Sequence, residues 1–399
     1  MGASRPTVVV IGAGPAGASA ARVSAAAGLR TIVVERHRLP RDKVCGEACT
    51  PRAVRSLARV GLLPRLQDQG HEVLRGHLVS PGGVVLRAKL PPAVFGGKAL
   101  TIRRSVLDAL LLEEALRCGA ELIEGVAVDG LQRSNGTVRV ALANGDRIDA
   151  SVIVGCDGVH STVRRALGVS RPGATRIAQA MRAVFENVEL PDPGALTLVW
   201  DKALLPAYGW VFPLPGGCAN VGVGVRADRL KARGESLTAV FERFLDAPSV
   251  REALRGARPA GRALGCPLPY SAAWGPCVFD RALLAGDAAG LVNPLTGEGI
   301  DLAMESGELA GEAVADAARG GDFGAAALAS HERACEATFG RMMRLNDWLG
   351  RAFSMPWLLD RIFRAGNRSP IVREQVAQIA LGGQRAAITA RFVAEVVRG

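Results

Sequence analysis

The chain has 399 residues, 49% of them hydrophobic and 22% charged, with 49 Lys plus Arg against 38 Asp plus Glu and a formal net charge of +11. This composition excludes global disorder, and charges interrupt the apolar stretches before they reach the roughly 18–20 residues of a membrane-spanning helix. It does not mark a nucleic-acid binder either, because the basic residues are nearly all Arg and are scattered, not gathered in an arm or an aromatic-rich stripe.

Thr7-Val-Val-Val-Ile11 is a β-branched run of the kind that forms a buried parallel strand. It leads into Gly12-Ala13-Gly14-Pro15-Ala16-Gly17, then an alanine-rich helical stretch closed by Gly28, then a second strand over 31–34 ending at Glu35 and Arg36. Strand, G-x-G-x-x-G, helix, strand and acid in this register predict a dinucleotide site. Gly12 permits the tight turn, Gly14 lets the backbone approach a pyrophosphate, and Gly17 lets helix pack on strand. Glu35, 18 residues after Gly17, is placed to accept from ribose hydroxyls. Arg36 and Val126 are counted with these cofactor contacts.

A cationic loop follows: Arg41-Asp42-Lys43-Val44-Cys45-Gly46-Glu47-Ala48-Cys49-Thr50-Pro51. Gly46 would let it approach a flat ring. Glu47 reads either as a proton donor or as an ion-pair partner of Lys43 or Arg52. The eight cysteines include no C-x-x-C pair, so free thiols, no metal site and a reducing cytoplasmic setting are expected, without a Cys45–Cys49 disulfide.

Two further apolar strands end in glycine-flanked aspartates: 151–154 before Gly155-Cys156-Asp157-Gly158, and 282–285 before Gly286-Asp287. The second continues to Asn293-Pro294-Leu295-Thr296-Gly297-Glu298-Gly299-Ile300, whose glycines clear room for backbone approach to a ring. Between them, residues 176–268 read as antiparallel strands, at about 180–189, 195–200, 209–212 and 219–225. Tyr208, Trp210 and Phe212 alternate there, so their rings are expected on one face as an aromatic wall. Residues 346–399 read as helical with an apolar cluster and eight Arg in 351–399. The plain reading packs this tail on the sheet. The sharper one makes it a peripheral contact with an acidic membrane face, or a lid over a greasy channel.

The glycine turn, Asp157-Gly158 and Gly286-Asp287 with Pro294-x-x-Gly297-x-Gly299 together resemble the p-hydroxybenzoate-hydroxylase-like flavoprotein superfamily, from about residue 7 to 345. The resemblance implies FAD, with Asp287 at the ribityl chain and Asp157-Gly158 near the pyrophosphate. Arg104, in Arg104-Ser-Val-Leu-Asp108, would lie against it, and Ala16, Gly286 and Ile300 join the expected contacts. Within that superfamily, the Cys45 loop and Pro206-x-Tyr208-x-Trp210-x-Phe212-Pro213 resemble the geranylgeranyl reductase family, and the loop is most similar to prenyl-chain reductases of the menaquinone type. Ala48-Cys49 departs from the Gly-Leu usual there. The implied fold is α/β: a Rossmann-like FAD-binding domain of the glutathione-reductase type (1–75, 98–175 and 276–345). An inserted antiparallel-sheet substrate domain (76–97 and 176–275) and a C-terminal helical segment (346–399) complete it.

The implied activity is reduction of a C=C bond in a lipophilic, isoprenoid substrate, with NAD(P)H or another donor as transient reductant. Cys45, Glu47 and Tyr208 are the catalytic candidates, Cys45 also touches the cofactor, and Tyr208, Trp210 and Phe212 contact substrate. The superfamily also hosts monooxygenases acting with O₂ on lipophilic natural products, and that alternative stays open. Halogenation is disfavoured, because Gly209-Trp210-Val-Phe212-Pro213 echoes only half of the halogenase G-W-x-W-x-I-P pattern.

Overall fold

Three consecutive residues of the first strand, Val8, Val9 and Val10, have no solvent exposure. Thr7–Ile11 lies inside a six-stranded sheet ordered Val278–Phe279, Ala282–Leu284, Val152–Gly155, Thr7–Ile11, Arg30–Glu35, Glu121–Glu124. Every neighbouring pair is parallel except the Val278–Phe279 hairpin. The computed structural model describes residues 5–90, 97–134, 136–170, 176–269, 275–381 and 388–398; the junction expected after residue 175 adjoins residues outside that description.

Helix Pro15–Ala26 packs closely on helix Ile300–Gly320. The approach depends on small residues, since a Cβ at Gly307 would lie 2.1 Å from the Ala16 carbonyl oxygen. Gly28 follows the first helix with φ +82°, the left-handed position expected of it.

The second large sheet has the path Arg258–Pro259, Ile177–Glu186, Cys218–Arg226, Gly209–Leu214, Ala195–Val199, Arg75–Val79, Val85–Lys89, and Leu264–Pro269 also pairs with Ile177–Glu186. It is antiparallel apart from the pairing of Ala195–Val199 with Arg75–Val79. The four expected strands are present with ends shifted by a few residues. Three helices among them were not anticipated: Ala227–Arg233, Leu237–Leu245 and Pro248–Ala253. Their Val240, Phe241, Phe244 and Val250 bury one side of the sheet. A further three-stranded sheet, Val128–Ser134, Thr137–Leu142 and Arg147–Ala150, also escaped the sequence reading.

The tail forms helices Arg341–Ala352, Pro356–Arg368, Pro370–Ala380 and Ala390–Arg398. Leu349, Phe353, Leu359, Ile362 and Phe363 enter the core of the second sheet, where the Phe363 ring meets Trp200 edge-on at 5.7 Å. Asp360 anchors the contact by accepting from Ser80 Oγ and from the Gly82 amide at 2.7 Å. The expected apolar cluster is therefore split, for Trp348, Met355 and Trp357 stay exposed. Among the described residues, no helix is long and apolar enough to cross a membrane.

Candidate functional site

The glycine turn is held by backbone geometry that side chains would obstruct. Gly12 has φ +102° and donates to the Val34 carbonyl at 2.8 Å. A Cβ on Gly12 would meet the Cys156 carbonyl oxygen at 2.4 Å, and one on Gly17 would meet the Gly12 oxygen at 1.7 Å. Glu35 is buried at the end of the second strand. Its Oε2 accepts from the Ala13 amide at 2.8 Å and its Oε1 from the His37 amide at 3.0 Å. The carboxylate thus braces the turn while each oxygen keeps lone-pair capacity for a further donor. The Val126 amide donates to the Glu35 carbonyl at 3.2 Å, which sets Val126 beside it, whereas Arg36 is exposed with Nε 3.1 Å from His37 Nε2.

Asp157 stands against the same turn, its Cα 3.1 Å from the Cβ position of Gly12. Its Oδ2 accepts from the Thr162 and Val163 amides at 2.6 and 3.2 Å, opening helix Thr162–Ala166. Its Oδ1 is buried and accepts no hydrogen bond among the described residues. Burial raises the Asp157 carboxyl above its ordinary range, offset in part by Ser161 and the two amides. A buried polar atom without a partner needs one from outside the chain. Beside a glycine turn and the left-handed Gly158, that donor set fits a phosphorylated, polyhydroxyl dinucleotide such as FAD.

Arg104 and Arg41 converge on one carboxylate near Gly14. Arg104 is bidentate to Asp108, at 2.7 and 2.8 Å, and Arg41 Nη1 reaches the same group at 3.0 Å. Both guanidinium groups come within 4.0 Å of the Cβ position of Gly14, so positive charge is fixed where a pyrophosphate would approach. The Gly286 amide donates to Ser306 Oγ at 3.0 Å. Asp287 Oδ2 lies 3.4 Å from Lys43 Nζ, and its Oδ1 is 3.5 Å from the Cβ position of Gly299. Gly297, at φ +67°, faces open space.

These elements border a cleft of about 230 Å³ between the two large sheets, lined by loop residues 43–48, Arg104, Asp287 and the 292–300 segment. Its far wall comprises Tyr208, Trp210, Phe212, Leu196, Leu198 and Leu268, with Leu381 from the tail. The three rings form a row, Tyr208 to Trp210 at 6.4 Å and Trp210 to Phe212 at 6.1 Å. Tyr208 precedes the strand Gly209–Leu214 instead of lying on it. Small residues seat the row. A Cβ at Gly222, opposite Trp210 in register, would strike its Cζ2 at 2.2 Å, and one at Gly46 would lie 3.3 Å from Phe212 Cε2.

Glu47 pairs with neither Lys43 nor Arg52. It is buried at φ +63°, and its oxygens accept from the Arg104 amide and from Asn220 Nδ2, each at 3.0 Å. Both oxygens are used as acceptors that hold the loop in place, while Lys43 reaches Asp287 and Arg52 reaches Glu305. The Tyr208 hydroxyl donates to the Thr296 carbonyl, and burial pushes the phenol far up, so the ring faces the cleft with its proton committed to backbone. Cys45 is partly exposed on the cleft wall and Cys49 is buried; both are free thiols.

The cleft joins Cys45, Glu47, Arg104, Asp287, Gly297, Gly299, Ile300 and the aromatic row, whereas Glu35, Arg36, Val126, Asp157 and Gly158 do not line it. That division suits a long ligand running from the second strand past the glycine turn into the cleft. Sequence reasoning missed Asn220, Thr50 and Glu298. The signals were present: Asn220 is the one strongly polar residue in an apolar run over 219–225, and Glu298 stands between two motif glycines.

Residues 5–213 match the family model of an FAD binding domain. The chain is 34% identical over 316 residues to a menaquinone reductase of Mycolicibacterium smegmatis, covering 77% of this chain and 76% of that protein. It is 30% identical over 332 residues to a digeranylgeranylglycerophospholipid reductase of Methanocaldococcus jannaschii, covering 82% and 81%. A solved geranylgeranyl bacteriochlorophyll reductase-like protein of Thermoplasma acidophilum superposes with a TM-score of 0.81 at 24% identity, covering 98% of this chain and 96% of that one. With glycine turn, paired aspartates, cysteine loop and aromatic row assembled as described, the chain is an FAD-dependent oxidoreductase and belongs to the geranylgeranyl reductase family.

Proposed function

We propose that the protein saturates a C=C bond in a polyisoprenoid chain, such as the side chain of a quinone or the tail of a prenylated lipid. The observation that carries this reading is the cleft itself: an aromatic and aliphatic wall faces the cysteine loop and the two motif glycines. FAD, when bound and reduced by NAD(P)H or another donor, supplies a hydride. The protein's own part is to hold the chain and keep water away. Tyr208, Trp210 and Phe212 offer a flat apolar surface to successive isoprene units, and Leu196, Leu198, Leu268 and Leu381 continue it. The names of the relatives in Mycolicibacterium and Methanocaldococcus support an isoprenoid substrate.

The test is anaerobic incubation of the reduced enzyme with a panel of polyprenyl quinones and prenyl lipids, read by mass spectrometry. A gain of two hydrogens is expected. Oxygen from isotopically labelled O₂ in the product would instead make it an oxygenase, and an unchanged panel would overturn the reductase reading.

A peripheral membrane contact accords with the same reading. Trp348 and Trp357 are 58% and 61% exposed, Gly350 of the Trp348 helix lines the cleft, and Arg344 and Arg351 are exposed on that same helix. Sedimentation with anionic vesicles should fall when both Trp are replaced by Ala, with the fold unchanged by circular dichroism.

A further inference from the structure

Saturating an isolated double bond needs a proton as well as a hydride, and the described acids and hydroxyls of the cleft are mostly committed. Glu47 accepts on both oxygens, Asp287 is paired with Lys43, and the Tyr208 hydroxyl donates to Thr296. Glu298 differs. It lines the cleft between Gly297 and Gly299, directly before helix Ile300–Gly320, and among the described residues only its Oε1 is engaged, by Thr50 Oγ1.

The surroundings decide which carboxyl carries the proton. Burial holds Glu298 well above the usual carboxylate range and the charge of Asp301 pushes it further, against smaller opposing effects of Thr50 and Arg52. Asp301 is also buried and raised, yet it lies in the first helical turn with Arg52 Nε at 3.6 Å. Two carboxyls this close, one buried and one half-buried, resist ionising together. The helix N-terminus and Arg52 favour charge on Asp301, which leaves the proton on Glu298. Glu305 is bound to Arg52 through both oxygens, Cys49 and Tyr208 are further ionisable groups that feel the Glu298 charge, and Asp287, paired with Lys43, lies against neighbouring Gly299.

We propose that Glu298 is the catalytic acid of the reduction. The π bond breaks, one carbon takes the hydride and its electron pair from reduced FAD, and the other takes the proton from the Glu298 carboxyl. Glu298 is left as a carboxylate, to be reprotonated from solvent before the next turnover. This assignment rests on the reductase reading given above.

Glu298→Gln preserves shape and removes the acid. The variant is expected to keep its FAD and to accept electrons from the donor at the wild-type rate. Its anaerobic reoxidation by a polyprenyl substrate should slow about 100-fold, within the usual range for general acid catalysis. The wild-type rate of that step should fall as pH rises through the Glu298 pKa, and the variant should lose this alkaline limb. Independently of turnover, infrared spectra of the FAD-free protein at neutral pH should contain a protonated carboxylic acid carbonyl band that the variant lacks. Should the Gln variant fail to hold FAD, Glu298→Asp keeps the acid, and should retain both the alkaline limb and part of the rate. A Gln variant that reoxidises at the wild-type rate, or an infrared band unchanged by the substitution, overturns the role of Glu298. A wild-type enzyme inert toward every polyprenyl substrate overturns the reductase reading instead.

Discussion

Asn220 and Glu47 are 173 positions apart and joined by a 3.0 Å hydrogen bond from Nδ2 to Oε2, inside a region where Asn220 has no solvent exposure. The same amide group donates to the Cys45 carbonyl at 2.8 Å, and Asn220 Oδ1 accepts from Trp210 Nε1 at 2.9 Å. One side chain therefore locks the cysteine loop of the FAD-binding half to the aromatic row of the inserted sheet. Replacing Asn220 with Ala would strand buried groups on three partners, at about 1–3 kcal/mol each when unsatisfied. The denaturation midpoint should drop, and labelling of Cys45, followed by peptide mass mapping, should accelerate relative to buried Cys49. Unchanged Cys45 labelling would show that the loop holds without this clamp.

Gly14 separates cofactor binding from folding. Its Cβ position meets only the ends of Arg41 and Arg104, at 3.8 and 4.0 Å, unlike the backbone collisions at Gly12 and Gly17. Gly14→Ala should fold as an apoprotein with wild-type secondary structure, yet bind FAD at least about tenfold more weakly, equivalent to 1.4 kcal/mol. Fluorescence titration of the apoprotein with FAD measures this directly.

Arg52 and Glu305 are both buried and doubly bonded, with the Arg52 guanidinium also 5.1 Å from the centre of the Phe339 ring. Removing one partner leaves a buried charge, which typically costs about 3–5 kcal/mol. Glu305→Ala should lose about that much in urea unfolding. The double change Arg52→Met with Glu305→Leu should recover only part of it, because Arg52 Nε also lies 3.6 Å from buried Asp301, which then loses its cationic partner.

His331 is fully buried, 3.0 Å from the Leu284 carbonyl through Nε2, and burial lowers its pKa from the ordinary 6.5. The folded chain therefore resists protonation that the unfolded chain accepts. Stability from this residue is present above about pH 6.5 and is lost progressively as pH falls from there towards the lowered folded value. Thermal midpoints measured from pH 8 to 5 should decline, and His331→Gln should flatten the His-dependent part of that slope.

The nucleotide-binding half was legible in the sequence because its demands are local. A glycine turn, a β-branched strand such as Thr7–Ile11 and an acid at the end of the next strand are set by short-range sterics and spacing. The same holds for Asp157 and Asp287, each announced by flanking glycines, and for the alternation that put Trp210 and Phe212 on one side. Helices 227–253 and the small sheet over 128–150 were less legible, since short elements carry weak periodicity and take their stability from the faces they cover.

Only the tertiary structure decided what the polar residues do. Glu47 reads alone as an acid near a thiol; the fold surrounds it with the Arg104 amide and Asn220 and makes it a clamp. Glu298 stands between two motif glycines in the sequence; the fold half-buries it on the cleft wall near Asp301. Spacing along the chain determines backbone shape, whereas the ionisation and hydrogen bonding of a carboxyl depend on groups that arrive from distant parts of the chain.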